Sequence, residues 1–217
     1  MKGLLVKDFK LIKLQRNFFI VIVAIAIGLA IINNDPTFML GFLTFVMSLF
    51  ALSTVTYDEF DNGNAFLFTL PISRKSYVVE KYGFSLLLGS GSWILAVLLA
   101  VAFSLIKGTV PILEVVMTAI MMFPIMLIVY AVMIPFQLKF GGEKGKIAMV
   151  GAVGLLFIIG FLVVKIAELL GVDLLNVINT LPTLSMGMLV AIAVVIAVII
   201  FGISMRISVS IMNKKEF

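Results

Sequence analysis

The sequence predicts an all-α integral membrane protein with six transmembrane helices, and three observations carry that prediction. First, 63% of the 217 residues are hydrophobic and only 12% are charged, with a mean hydropathy of +1.27. A water-soluble domain is charged at roughly a quarter of its positions, about twice the share present here, so lipid must cover most of this surface. Second, uncharged apolar runs recur at 18–32, 37–56, 84–106, 115–136, 147–164 and 187–205. Most approach the ~20 residues that cross a hydrocarbon core as a helix. Third, basic residues alternate between the segments joining these runs. With the N-terminus inside, the inside segments hold Lys2, Lys7, Lys10, Lys13, Arg16, Arg74, Lys75, Lys81, Lys139, Lys144, Lys146, Arg206, Lys214 and Lys215, and the outside ones hold only Lys107 and Lys165. This asymmetry predicts that both termini are cytoplasmic.

The elements follow in order. Within residues 1–16, Leu5, Phe9 and Ile12 recur at helical spacing on one side and Lys7, Lys10 and Lys13 surround the rest, which predicts an interfacial helix along the inner leaflet. Leu11 and Leu14 fall toward the charged side, so a merely basic topogenic tail is the competing reading. The first span is short, from Phe18 to Ile32, and is extended by Arg16 and Asn33 reaching the interface. Ala24-Ile25-Ala26 imitates a signal-peptide cleavage site, but apolar residues continue to Ile32 and a second span follows directly, so the helix is expected to stay. In the third span Ser85, Gly89, Ser92 and Ala96 form a strip of small residues that permits close helix contact, either as packing within one subunit or lining a conduit or subunit seam. Pro124 and Pro135 are expected to bend or end the fourth helix. Residues 166–186, with Glu168, Asp173, Asn176, Asn179 and Pro182, join the last two spans. No repeat or low-complexity linker divides the chain, so 1–217 reads as one membrane domain.

Composition also removes chemistries. The chain has no His and no Cys, so zinc hydrolysis, His-activated nucleophiles, thiolate chemistry and disulfides all lose their usual residues. The net charge of +5 reflects topology rather than nucleic-acid binding. Proton pumping usually uses ionisable groups at membrane depth, whereas Glu114, Lys165 and Glu168 fall at span ends. Gly141-Gly142-Glu143-Lys144-Gly145-Lys146 lacks the spacing and hydroxyl residue of a nucleotide phosphate loop and reads as a basic turn. Tyr57-Asp58 lacks the second Asp motif that an intramembrane aspartyl protease requires. The expectation is no catalytic site, no metal site and no cofactor in this chain.

One polar segment remains, residues 57–83, reading YDEFDNGNAFLFTLPISRKSYVVEKYG. Asp58, Glu59 and Asp61 are acids where basic residues are favoured, and Phe66, Leu67 and Phe68 are apolar where water is expected. Lipid headgroups, neighbouring loops or the groove of a partner would each supply the missing surface. Pro71 stops any preceding helix, and Ser73 is placed to cap a new one running through Tyr77 and Lys81 into the third span.

At Lys7-Asp8-Phe9, Asp58-Glu59, Leu70-Pro71-Ile72-Ser73-Arg74 and Lys81-Tyr82 the chain resembles the permease subunits of type-two ATP-binding-cassette exporters in their short six-helix form. Among these it looks most like permeases that export phenol-soluble modulins, amphipathic peptides of Gram-positive bacteria. The resemblance implies a multi-pass protein of the plasma membrane and a separate cytosolic ATPase that binds ATP and Mg. It also implies a second permease subunit, identical or different, and an amphipathic peptide cargo, with a lantibiotic or lipid as alternatives. It makes 58–70 a cytoplasmic coupling helix: Asp58, Glu59 and Asp61 meet basic groups of the ATPase, Phe60 and Phe66 fill its groove, Leu70 and Pro71 belong to the same contact, and Lys7, Asp8 and Phe9 brace it. It allows a helical or re-entrant extracellular element at 166–186, where an ordinary loop fits equally. A non-transporting immunity or structural membrane protein is the reading from another class.

Overall fold

The computed structural model describes residues 2–59, 63–141 and 186–215, together with Lys144, Ile147, Gly151, Phe161, Leu162, Val164 and Lys165. Among these residues there is no strand. The elements are α1 (Lys2–Leu14), α2 (Arg16–Asn33), α3 (Pro36–Glu59), α4 (Gly63–Leu67), α5 (Arg74–Lys107), α6 (Ile112–Phe140) and α7 (Met186–Lys214). Five of them, α2, α3, α5, α6 and α7, are long and apolar enough to cross a membrane. They correspond to five of the six expected spans. The run 147–164 lies largely outside the described residues, as does 166–186 apart from Met186.

Local chemistry sets the boundaries. Asn34 adopts the left-handed conformation (φ 52°) that ends α2. Asp35 restarts the chain at once, its Oδ1 accepting from the Thr37 backbone N–H at 2.8 Å and from the Thr37 hydroxyl at 2.6 Å, with Pro36 at the first helical position, where a missing N–H costs nothing. Ser73 caps α5 as expected: its Oγ accepts from the Ser76 N–H at 3.1 Å. At the far end Gly108 (φ 62°) donates to the Ser104 carbonyl, a left-handed cap that glycine adopts without strain.

The expectation that Pro124 or Pro135 ends the fourth span is corrected in part. Both lie inside α6, which continues to Phe140. A proline removes the hydrogen bond to the carbonyl four residues earlier, which for Pro135 is that of Ala131. The Ser204 hydroxyl on α7 donates to this carbonyl, so a neighbouring helix supplies the lost partner.

α3, α5 and α6 pack against one another; α2 lies against α3, and α7 against α6 and α5. One core cluster gathers Ile22, Ala26, Ala30, Met39, Leu43, Ala96, Ala100 and Ala119 near the α2–α3 turn. A second, at the opposite end, joins Leu4, Val55, Leu67, Tyr77, Tyr82, Ile134 and Met212. The small-residue strip of α5 is consumed by packing inside the chain. Ser85, Gly89, Ser92 and Ala96 are all buried, and a Cβ at Gly89 would lie 2.6 Å from the Tyr130 hydroxyl and 2.8 Å from Met126 Sδ. Outward faces of α2 and α7 stay apolar and uncovered, Ile20, Ile32, Val195 and Ile199 among them, as expected of helices whose solvent is lipid.

α5 is longer than a bilayer requires. Its 34 residues rise about 51 Å at 1.5 Å each, against a hydrocarbon core of ~30 Å. The uncharged stretch from Gly83 to Ile106 is sufficient to cross. The charged first turns, Arg74 to Tyr82, therefore project beyond the membrane-spanning segment, and the candidate site is built there.

Candidate functional site

Three elements converge at the projecting start of α5. α1 contributes Lys7 and Asp8, the last two turns of α3 contribute Thr54 and Asp58, and α5 contributes Tyr77, Glu80 and Lys81. Lys81 is the centre. Its ammonium lies 2.5 Å from Asp8 Oδ2, 2.7 Å from Asp58 Oδ2 and 3.3 Å from the Thr54 hydroxyl, and it sits 5.4 Å from the centroid of the Tyr77 ring. Lys7 closes the cluster from the rim, pairing with Asp58 Oδ1 and lying 3.2 Å from Asp8 Oδ1. The Tyr77 hydroxyl donates to Asp58 Oδ2 at 3.1 Å.

Burial makes these contacts consequential. The Lys81 side chain is 1% exposed, that of Asp8 0% and that of Asp58 5%, so water screens none of them as it would a surface pair. A buried ion pair gains little net stability over an apolar replacement, but removing one partner strands the other charge. Burial pulls the Lys81 ammonium toward deprotonation, yet Asp58, Asp8 and Glu80 outweigh that effect and hold its pKa above the ordinary lysine value. The Tyr77 phenol is pushed well up by burial and by the neighbouring Asp58 carboxylate. The cluster is an ionic joint tying α1 and the end of α3 to the root of α5.

Residues 63–74 of the polar segment pack beside this joint. α4 follows closely on α3: a Cβ at Gly63 would meet the Asp58 carbonyl oxygen at 2.8 Å, so only glycine fits that approach. Leu67 is buried, and Phe68 packs edge-on to Tyr77 with centroids 5.6 Å apart. Phe66, by contrast, is 72% exposed and Leu70 46% exposed, with Pro71 also exposed. Arg74 then donates to the carbonyls of Met212 and Asn213 at 3.2 and 2.7 Å, satisfying groups that the end of α7 leaves without helical partners. Lys215 spans from Glu59 Oε1 (2.7 Å) to the Leu138 carbonyl (3.1 Å), joining the ends of α3 and α6.

The expected partner-binding residues therefore divide. Phe66, Leu70 and Pro71 are available at the surface. Asp58 and Asp8 do meet basic groups, but these are Lys7 and Lys81 of the same chain. Glu59 is half-buried against Lys215. Phe9 is half-exposed, its ring edge-on to Phe84 at 5.4 Å. Phe60 and Asp61 lie outside the described residues. Thr54, Tyr77, Glu80 and Lys81 are not among the expected site residues, although Tyr77 and Lys81 stand four apart on one helical face and pair as that spacing allows. Among the described residues no group of acids is arranged to hold a metal ion.

The sequence model of the family described as ABC-2 family transporter protein matches residues 3–213, nearly the whole chain, so the chain belongs to that family. It is thus a multi-pass membrane protein and the transmembrane subunit of an ABC transporter, a machine that works with an ATPase partner. No curated protein and no solved structure matches the chain.

Proposed function

We propose, from the chain's membership of the ABC-2 family, that it is the permease of an exporter in which a separate cytosolic ATPase binds ATP and Mg. This chain supplies the membrane path and no catalytic or cofactor site. Two permease subunits enclose the path, the ATPase docks on the cytoplasmic face, and the end of the bundle carrying α1, α4 and the root of α5 is that face. The cargo is an amphipathic peptide of the phenol-soluble modulin kind, and the setting is a Gram-positive plasma membrane.

The placement of Phe66 and Leu70 carries the coupling part of this reading. They are exposed apolar side chains on a short strap whose two ends are fixed in the ionic joint and which leads directly into α5. Closure of an ATPase shifts a membrane helix only through contacts whose free energy differs between the two states. A rooted strap with an apolar tip provides such contacts, and the unbroken α5 carries displacement into the bilayer. The uncharged interior of the spans supports an amphipathic cargo over an ion.

Co-expression with the ATPase and measurement of co-purification and ATP turnover test the coupling. Phe66→Ala/Leu70→Ala is expected to weaken ATPase retention by roughly 2 kcal/mol, about thirtyfold, while the permease stays folded. Unchanged retention removes the strap from the interface. For the cargo, an amphipathic helical peptide is expected to raise ATP turnover in proteoliposomes; stimulation by a lantibiotic or lipid instead replaces the cargo assignment and leaves the coupling intact.

A further inference from the structure

The ionic joint holds one carboxyl group too many. Two ammonium groups, Lys7 and Lys81, face three acids, Asp8, Asp58 and Glu80. A lysine ammonium has three N–H donors, and those of Lys81 already face Asp8, Asp58 and Thr54. Glu80 comes no nearer to Lys81 Nζ than 3.9 Å. Its side chain is fully enclosed, and neither of its oxygens has a hydrogen-bond partner. The charged groups around it are Lys7 and Asp8 from α1, Asp58 from α3 and Lys81 on its own helix. An ionised carboxylate in such a position has lost its hydration and gained no donor, which is among the costliest arrangements a folded chain adopts.

We propose that Glu80 is a proton-binding site, occupied in the folded protein, whose proton neutralises the surplus carboxylate and keeps the α1–α3–α5 joint closed. Loss of that proton places a further negative charge beside Asp8 and Asp58 and sets a third carboxylate competing for Lys81. The direction agrees with the electrostatics of the site: burial, reinforced by Asp8 and Asp58 and opposed by Lys81 and Lys7, pushes the Glu80 carboxyl from its ordinary 4.5 up to about 7. Proton occupancy thus regulates the root of α5 independently of any cargo.

The sign of the pH dependence follows from linkage. A carboxyl with a raised folded-state pKa binds more protons when folded than when unfolded, so its stabilising contribution is complete below its unfolded pKa and disappears as pH rises through the folded one. The chain has no His and no Cys, so few other groups titrate in that window. Purified in a non-titrating maltoside detergent, the native chain is expected to lose several degrees of thermal midpoint between about pH 5 and about pH 8, and Glu80→Gln, which imitates the protonated acid, to show a flat profile. A flat native profile, or an equal slope in Glu80→Gln, overturns the proposal. Infrared titration of the native protein decides the matter even if the variant fails to fold. A protonated-carboxyl band present near pH 6 and bleaching as pH approaches about 8 is expected, and absence of that band overturns the assignment.

Discussion

The ends and the middle of the polar segment 57–83 differ in composition and have opposite fates. Its ends, Asp58 on one side and Tyr77, Glu80 and Lys81 on the other, carry the strongest charges and are buried; its middle, Phe66 and Leu70, is apolar and exposed. In water the reverse arrangement is the norm. The inversion shows that charge in this segment is spent on internal construction, and that the exposed tip is free of the burden of holding the fold.

Substitutions that break this contrast should rank accordingly. Lys81→Met is expected to be the most damaging, costing roughly 3–5 kcal/mol, because it leaves Asp8 and Asp58 buried side by side with only the rim ammonium of Lys7 between them; thermal unfolding in detergent reads this directly, and a change below about 1 kcal/mol would mean that Lys7 or water satisfies the cluster. Deeper on the same helix, Gly89→Ala replaces charge with shape as the thing lost: its methyl group meets Tyr130 and Met126 and should cost roughly 1–3 kcal/mol by overpacking, with partial recovery when Met126→Ala is added. At the boundary between middle and end, Ser73→Ala removes the α5 cap and should cost about 1 kcal/mol. Phe66→Ala, at the exposed tip, should alter stability by less than about 0.5 kcal/mol while ATPase retention falls. A destabilisation comparable to that of Lys81→Met would show that the tip, too, belongs to the fold.

The sequence made some of this legible and hid the rest for physical reasons. Helix starts and stops are local chemistry, so the Ser73 cap and the turn at Asn34 and Asp35 were readable from a few neighbouring residues. The apolar runs locate the five described spans because burial in lipid is a one-dimensional property of a segment. The joint is not local: Asp8 and Lys81 stand 73 positions apart, and nothing in either neighbourhood names the other. What the sequence did show was an excess of acid at Asp58, Glu59 and Asp61 in a region dominated by basic residues. Lys7 and Lys81 account for the first of these and Lys215 for the second. The four fragments that carry the family resemblance looked like separate motifs; three of them, Lys7-Asp8-Phe9, Asp58-Glu59 and Lys81-Tyr82, supply the cluster itself, and the fourth is the strap and cap beside it. Pro135 does not end α6, and the sequence could not show this because the remedy, the Ser204 hydroxyl, comes from another helix.

The turn at Asn34 and Asp35 bears on how the protein is made. Only these two residues separate α2 from α3, so during synthesis the pair emerges as a nearly continuous greasy stretch with too little polar chain between for either helix to settle alone. The pair is built to enter a bilayer as one hairpin. The linker itself, Asn34 and Asp35 followed by Pro36, holds no lysine or arginine, whereas Lys2, Lys7, Lys10, Lys13 and Arg16 all precede or begin the hairpin, and on that contrast the expected cytoplasmic N-terminus rests.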